Sequence, residues 1–178
     1  MSEISVRALG EEDWQQYRDI RLAALQEAPD AFVATWAQEE AFDEQVWRAR
    51  MLRSTRLLAE REGSVVGVVS LGQAEESFAH SAELFGFWVA PEARGTGVAW
   101  KLVEAGAEEA RKEGHSQLGY WVGTDNGRAV AFASSFGFRP TDTRRPMRLT
   151  DGTDGAEEMA MILPLGLDPG SAPGPIRH

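Results

Sequence analysis

The sequence predicts one α/β domain built on a mixed sheet. Three observations carry this reading. Strand-like segments recur from Ile4 to Leu163, two helical stretches stand early and precede a hairpin pattern, and two strand–helix units fill the second half. Helices interspersed with strands in this way cover a sheet rather than bundle with one another. A chain of 178 residues is most simply one domain with a substantial core.

Ile4-Ser5-Val6-Arg7-Ala8-Leu9 alternates in polarity and reads as the first strand. Gly10-Glu11-Glu12-Asp13 opens a helix with acids in its first turn, where they complement the helix dipole. Trp14, Tyr17, Ile20 and Ala24 line one face of it, and Pro29 ends it. A second helical region spans about 31–52, broken near Phe42-Asp43. Its aromatics Phe32, Trp36, Phe42 and Trp47 are candidates for an acceptor pocket, although such residues more often form core.

Residues 56–60 and 65–71 flank Arg61-Glu62-Gly63-Ser64 as a hairpin. A central strand is expected at 82–89, a helix after Gly97, a strand at 117–122 and a helix at 126–136 ending at Gly137. Glu157 to Leu163 reads as the last strand, with Pro146-Met147-Arg148-Leu149 pairing to it across a turn-rich 150–155. The domain is expected over 1–164, followed by a disordered tail rich in Pro, Gly and Ser over 165–178.

Composition narrows the function. The chain has no cysteine, which excludes disulfides, a thiol nucleophile and thiolate metal ligands. A formal net charge of −10 argues against broad nucleic-acid binding and favours a cationic acceptor or partner. No apolar run reaches membrane-spanning length, and Met1-Ser2-Glu3 does not open a signal peptide, so a cytoplasmic protein without membrane or nucleic-acid partners is expected. Three histidines and no clustered carboxylates argue against a metal site.

The stretch Phe87-Trp88-Val89-Ala90-Pro91-Glu92-Ala93-Arg94-Gly95-Thr96-Gly97-Val98-Ala99 carries the chemistry. A strand feeding a Gly-rich turn into a helix offers free N–H groups at the positive end of the helix dipole, a site for phosphate. Gly95 and Gly97 let backbone approach an anion, and Arg94 adds a charge. An ordinary strand–turn–helix link reads the same way on glycines alone.

Taken with Asn126-Gly127-Arg128-Ala129-Val130-Ala131-Phe132 and its close at Phe136-Gly137-Phe138, the chain resembles the GNAT superfamily of acetyl-CoA-dependent N-acetyltransferases. Arg94 to Ala99 is similar to that family's R/Q-x-x-G-x-G/A turn, and the Asn126 helix to its second motif. The resemblance implies a mostly antiparallel mixed sheet splayed between its two central strands and flanked by about four helices. It implies acetyl-CoA as cofactor, with the pyrophosphate on the amides of Arg94, Gly95, Thr96, Gly97, Val98 and Ala99. The pantetheine arm would lie along Phe87, Trp88 and Val89, and Asn126 would contact the cofactor from the other wall.

The implied reaction is direct attack of a primary amine, on a small molecule or a peptide, in a ternary complex. A protonated amine must first lose its proton to a base. Glu83, at the start of the central strand, is the candidate base; by strand parity it shares a face with Phe85, Phe87 and Val89. An exposed strand-end carboxylate is the competing reading, and His80 an alternative base. The family's tyrosine acid is replaced by Ala133, leaving Ser134 as a substitute. Phe32, Trp36 and Tyr120 are the candidate acceptor-binding residues. Alternatives are a catalytically degenerate acyl-CoA-binding regulator, favoured by Ala133, or transfer from another acyl-CoA. Dimers are frequent in the resembled family, so a homodimer is one expected assembly.

Overall fold

The computed structural model describes residues 3–32, 34–73, 81–148 and 154–166. Seven strands form one sheet: β1 (Ile4–Ala8), β2 (Thr55–Arg61), β3 (Ser64–Gln73), β4 (Ala82–Val89), β5 (Gln117–Gly123), β6 (Arg139–Arg148) and β7 (Asp154–Pro164). Their order is β1-β2-β3-β4-β5-β7-β6; only β4 and β5 run parallel. Five α-helices accompany them among the described residues: α1 (Trp14–Glu27), α2 (Trp36–Glu40), α3 (Glu44–Arg53), α4 (Val98–Lys112) and α5 (Gly127–Phe136).

Local chemistry explains the boundaries. Glu11–Asp13 forms a 3₁₀ turn ahead of α1. The expected second helical region is two helices. Thr35 caps α2 in a reciprocal box with Gln38, and the Asp43 carboxylate accepts the Val46 N–H at 3.1 Å to start α3. Glu62-Gly63 makes the two-residue hairpin turn between β2 and β3, where Arg61 pairs with Ser64.

Strand β6 is longer than expected, beginning at Arg139 rather than Pro146. Its polar sequence, with prolines at 140 and 146, hides it from a pattern search. Such a strand is tolerated because it lies at the sheet edge, where one side of its backbone needs no ladder partner. Leu165, the residue after the expected boundary, is buried and donates its N–H to Ser116 O at 3.0 Å. Residues 167–178, expected to be a tail, lie outside the described residues.

The sheet separates two cores. On one face Leu57, Val69, Leu84 and Leu118 pack against Val98, Leu102 and Ala107 of α4 and Ala133 of α5. On the other, Leu58, Val68 and Trp88 pack against Tyr17, Ile20 and Leu25 of α1 and Trp47 and Met51 of α3. Fully buried leucines such as Leu58 and Leu84 contribute about 1.5–3 kcal/mol each. Trp47, wholly buried against Tyr17 and Phe42, is core and not pocket. Among the described residues no helix is long and apolar enough to cross a membrane.

Candidate active site

Strand β4 organises the site. Ser70 of β3 pairs with Phe85 and Val68 with Trp88, so Gly86 and Phe87 together oppose Val69. This is a β-bulge, and Gly86 takes φ +61°, a left-handed conformation that L side chains resist. The extra residue reverses side-chain parity. Leu84 before the bulge and Phe87 and Val89 after it join the α4–α5 core, whereas Trp88 joins the α1–α3 core. Glu83 therefore does not share a face with Phe87 and Val89, as simple alternation predicts; with its β3 partner Gly72 and with Phe85, it lies on the α1–α3 side.

On its other edge β4 pairs with β5 only through Ala82, Glu83 and Leu84. Beyond Leu84 the two strands part, as the splayed-sheet expectation requires. The cleft between them, about 600 Å³, is lined by Phe32, Glu83, Phe85, Gly86, Phe87, Tyr120, Trp121, Arg145 and Glu158, residues from both faces. Tyr120 points toward the α5 side, its ring 5.9 Å from Phe87 and 6.1 Å from Phe138. Burial, with the Glu158 carboxylate adding to it, pushes its phenol up to about 12. Glu158 itself accepts from Arg145 Nε at 3.0 Å, and the Arg145 guanidinium lies 4.0 Å over the Trp121 ring.

The turn into α4 meets the requirements for an anion. Among the described residues the N–H groups of Gly95 to Trp100 find no backbone acceptor; the first ladder bond is Lys101 N–H to Gly97 O. Gly97 caps α4 at φ +94°, and a Cβ there would meet no protein atom within 4 Å. Open amides at a helix N-terminus fit a diphosphate. An unpaired strand edge in the adjoining cleft fits an extended, amide-bearing arm. The residues present thus fit coenzyme A.

Arg94 differs from expectation. Its amide bonds Pro91 O, and its guanidinium donates to Val89 O at 2.9 Å and to Glu27 Oε1 at 2.8 Å. Glu27 also accepts from Trp88 Nε1 at 2.9 Å. The Trp88 bond first, with Arg94 adding to it, outweighs the opposing effect of burial and holds this carboxyl below its usual range. The acceptor-free amides therefore begin at Gly95, and the Arg94 side chain ties the turn to α1. Asn126 caps α5, its Oδ1 accepting the Ala129 N–H at 3.1 Å, with the side-chain amide donors remaining for a ligand.

A second cavity, about 500 Å³, adjoins the cleft and shares Phe32, Phe85 and Gly86 with it. It is lined further by Tyr17, Arg21, Arg50, Arg53, Arg56 and Ser70. The whole-chain charge of −10 gives no sign of this cationic lining. Net charge averages a whole surface, whereas folding gathers these four arginines from α1, α3 and β2.

Phe32 is thus brought to both cavities, Tyr120 and Glu83 to the cleft. Trp36 is not: it is 40% exposed at the start of α2 and lines neither cavity. Ser134 is exposed at the end of α5, its carbonyl bonding the Gly137 N–H, while Ala133 takes the buried position. His80 lies outside the described residues. Sequence reasoning missed Gly86, for which an isolated glycine inside a strand was an available signal. It also missed the four arginines, for which no local pattern exists.

A family model for the acetyltransferase (GNAT) family matches residues 14–138. No curated protein matches the chain in sequence. Among solved structures, a Salmonella typhimurium protein solved with its cofactor acetyl-CoA is similar at 22% identity, covering 96% of this chain and 98% of that one, with TM-score 0.69. The ribosomal-protein-S18-alanine N-acetyltransferase of Escherichia coli aligns at 20% identity over 97% and 100%, TM-score 0.66. The ribosomal-protein-alanine N-acetyltransferase of Brucella melitensis aligns at 28% identity over 90% and 99%, TM-score 0.66. The family match takes in the bulged strand, the amide turn and the capped α5 together, and the chain belongs to the acetyltransferase (GNAT) family, whose acetyl donor is acetyl-CoA.

Proposed function

We propose that this protein acetylates a primary amine by direct attack in a ternary complex. The parting of β4 from β5 beyond Leu84 carries the reading, because one cleft then joins the donor's strand edge to the acceptor cavity. The amides of Gly95 to Ala99 would hold the pyrophosphate, the β4 edge from Phe87 to Val89 the pantetheine arm, and the free amide donors of Asn126 would add a contact. Bound acetyl-CoA supplies an activated thioester carbonyl. A backbone N–H on the unpaired edge near Gly86 would stabilise the negative charge that builds on the carbonyl oxygen.

Glu83 opens to the acceptor side and serves as the base, directly or through water. Tyr120 is a hydrogen-bond donor here and not an acid. Moving its proton from about 12 to a thiolate of pKa about 8.5 would be uphill by roughly 5 kcal/mol. No side chain of the cleft need act as an acid, because a thiol of pKa about 8.5 would be a tolerable leaving group near neutrality as its anion.

Thiol release from acetyl-CoA across a panel of amines tests the reading. Glu83→Gln should lower kcat at neutral pH and leave acetyl-CoA affinity intact; an unaltered rate removes Glu83 from the mechanism. A second reading, an acyl-CoA-binding regulator without turnover, is supported by Ala133 at the buried position and Ser134 turned outward. Saturable thiol release with any acceptor refutes it.

A further inference from the structure

The arginine-lined cavity holds an imbalance of charge. Arg21, Arg50, Arg53 and Arg56 are four cations, and among the described residues Glu39 alone answers them. Glu39 is 2% exposed and is forked twice: Arg21 reaches it with Nε at 3.0 Å and Nη2 at 3.2 Å, Arg50 with Nη1 at 2.8 Å and Nη2 at 3.2 Å. Its single charge leaves the cluster about three positive charges in excess.

Arg53 is exposed and makes no hydrogen bond or ion pair among the described residues. Arg56 is the unusual member. It is 3% exposed, donates to Ser70 Oγ at 2.7 Å and to Arg50 O at 3.0 Å, and its Nε has no partner. The rings of Tyr17 and Phe85 lie 4.6 and 5.6 Å from its guanidinium carbon. Burial is the largest effect and pushes its pKa below the usual range; Tyr17 opposes it, and Arg50, Arg53 and Arg21 each add a smaller lowering. A buried cation without a counter-ion costs several kcal/mol, and an arginine does not escape that cost by losing its proton. A ligand anion would offset it.

We propose that the acceptor amine also carries a small oxyanion, a carboxylate or a phosphonate, which Arg53 and Arg56 bind. Guanidinium forks match planar or tetrahedral oxyanions in a way a surface lysine does not. Phe32 and Phe85 pack on the acceptor's carbon skeleton and lead toward Gly86, where the cavity meets the β4–β5 cleft. A cavity of about 500 Å³ suits a small molecule rather than a folded partner. The inference rests on the acetyl-transfer reading above and names the acceptor class for that site.

The test compares matched acceptors by thiol release from acetyl-CoA: α-amino acids, their carboxamides, the corresponding aminophosphonates, and diamines without an acid group. The expected result is a kcat/KM at least tenfold higher for the carboxylate or the phosphonate than for carboxamide and diamine, and the better of the two identifies the oxyanion. Arg53→Glu should raise KM for that acceptor at least tenfold, change kcat little, and abolish its advantage over the carboxamide. Equal or better turnover of carboxamide or diamine overturns the proposal. A second measurement separates it from the acetyl-transfer reading: calorimetric binding of N-acetyl amino acids against N-acetyl amino amides. Carboxylate-dependent binding that Arg53→Glu removes upholds the oxyanion site even if no acceptor turns over. Absence of that dependence overturns the site whatever the acetyl-transfer result.

Discussion

Phe85 and Phe87 stand two residues apart on β4 yet face opposite sides of the sheet. Phe85 packs near the Arg56 guanidinium on the α1–α3 side, while Phe87 meets Phe132 of α5 with centroids 6.4 Å apart. The bulge at Gly86 separates them, and because of it Glu83 lies on the α1–α3 side of the sheet, lining the β4–β5 cleft, and not on the face of Phe87 and Val89.

Gly86 is held left-handed by this bulge, so Gly86→Ala should lower stability by about 1–2 kcal/mol. The added methyl meets only ordinary contacts, to Ser70 Oγ at 3.7 Å and Arg21 Nη1 at 3.8 Å, so backbone strain is the cause. If the variant straightens the strand, kcat/KM should fall tenfold or more. Urea denaturation beside initial rates checks both; unchanged stability and rate would mean the bulge is tolerated without strain and plays no part in the site.

Gly97→Glu places a carboxylate among the acceptor-free amides proposed to hold the pyrophosphate. Acetyl-CoA affinity should fall at least a hundredfold in calorimetry, for about 1 kcal/mol of stability lost to the left-handed backbone. Retained affinity would move the pyrophosphate elsewhere.

Glu39 governs acid stability. Burial pushes its carboxyl up, but the bonds from Arg21 and Arg50 outweigh burial and hold it below its ordinary value of 4.5. A lowered folded-state pKa gives stability that is complete above the unfolded value and is lost as pH falls through the folded one. Unfolding free energy should therefore decline below pH 4.5. Glu39→Ala, which leaves two guanidinium groups without their partner, should cost roughly 3 kcal/mol at pH 7 by urea denaturation and flatten that decline.

Tyr120 governs the alkaline side. Its folded-state pKa of about 12 lies above the ordinary 10.0, so the protonated phenol favours the fold fully below pH 10. That contribution, on the order of 2–3 kcal/mol, is lost as pH rises from 10 to about 12. Tyr120→Phe should remove this part of the alkaline unfolding, and ultraviolet titration of the phenol at those pH values should show one late-titrating tyrosine that the variant lacks.

The sequence alone determined the elements whose chemistry is local. The hairpin at Glu62-Gly63, the Gly95–Gly97 turn and the helix that opens at Asn126 each follow from residues within a few positions of one another, and each sits where its pattern placed it. The family and its donor were legible for the same reason, because the two motifs that carry them are short and contiguous. Only the tertiary structure assembled the arginine-lined cavity. Arg21, Arg50, Arg53 and Arg56 come from three elements spread over 36 positions, and no periodicity marks them as neighbours. The facing of Glu83 depended on one extra residue at Gly86, which inverts every side chain beyond it, since a strand's two faces differ by a single step. Strand β6 was hidden because edge position, and not residue preference, lets its two prolines stand.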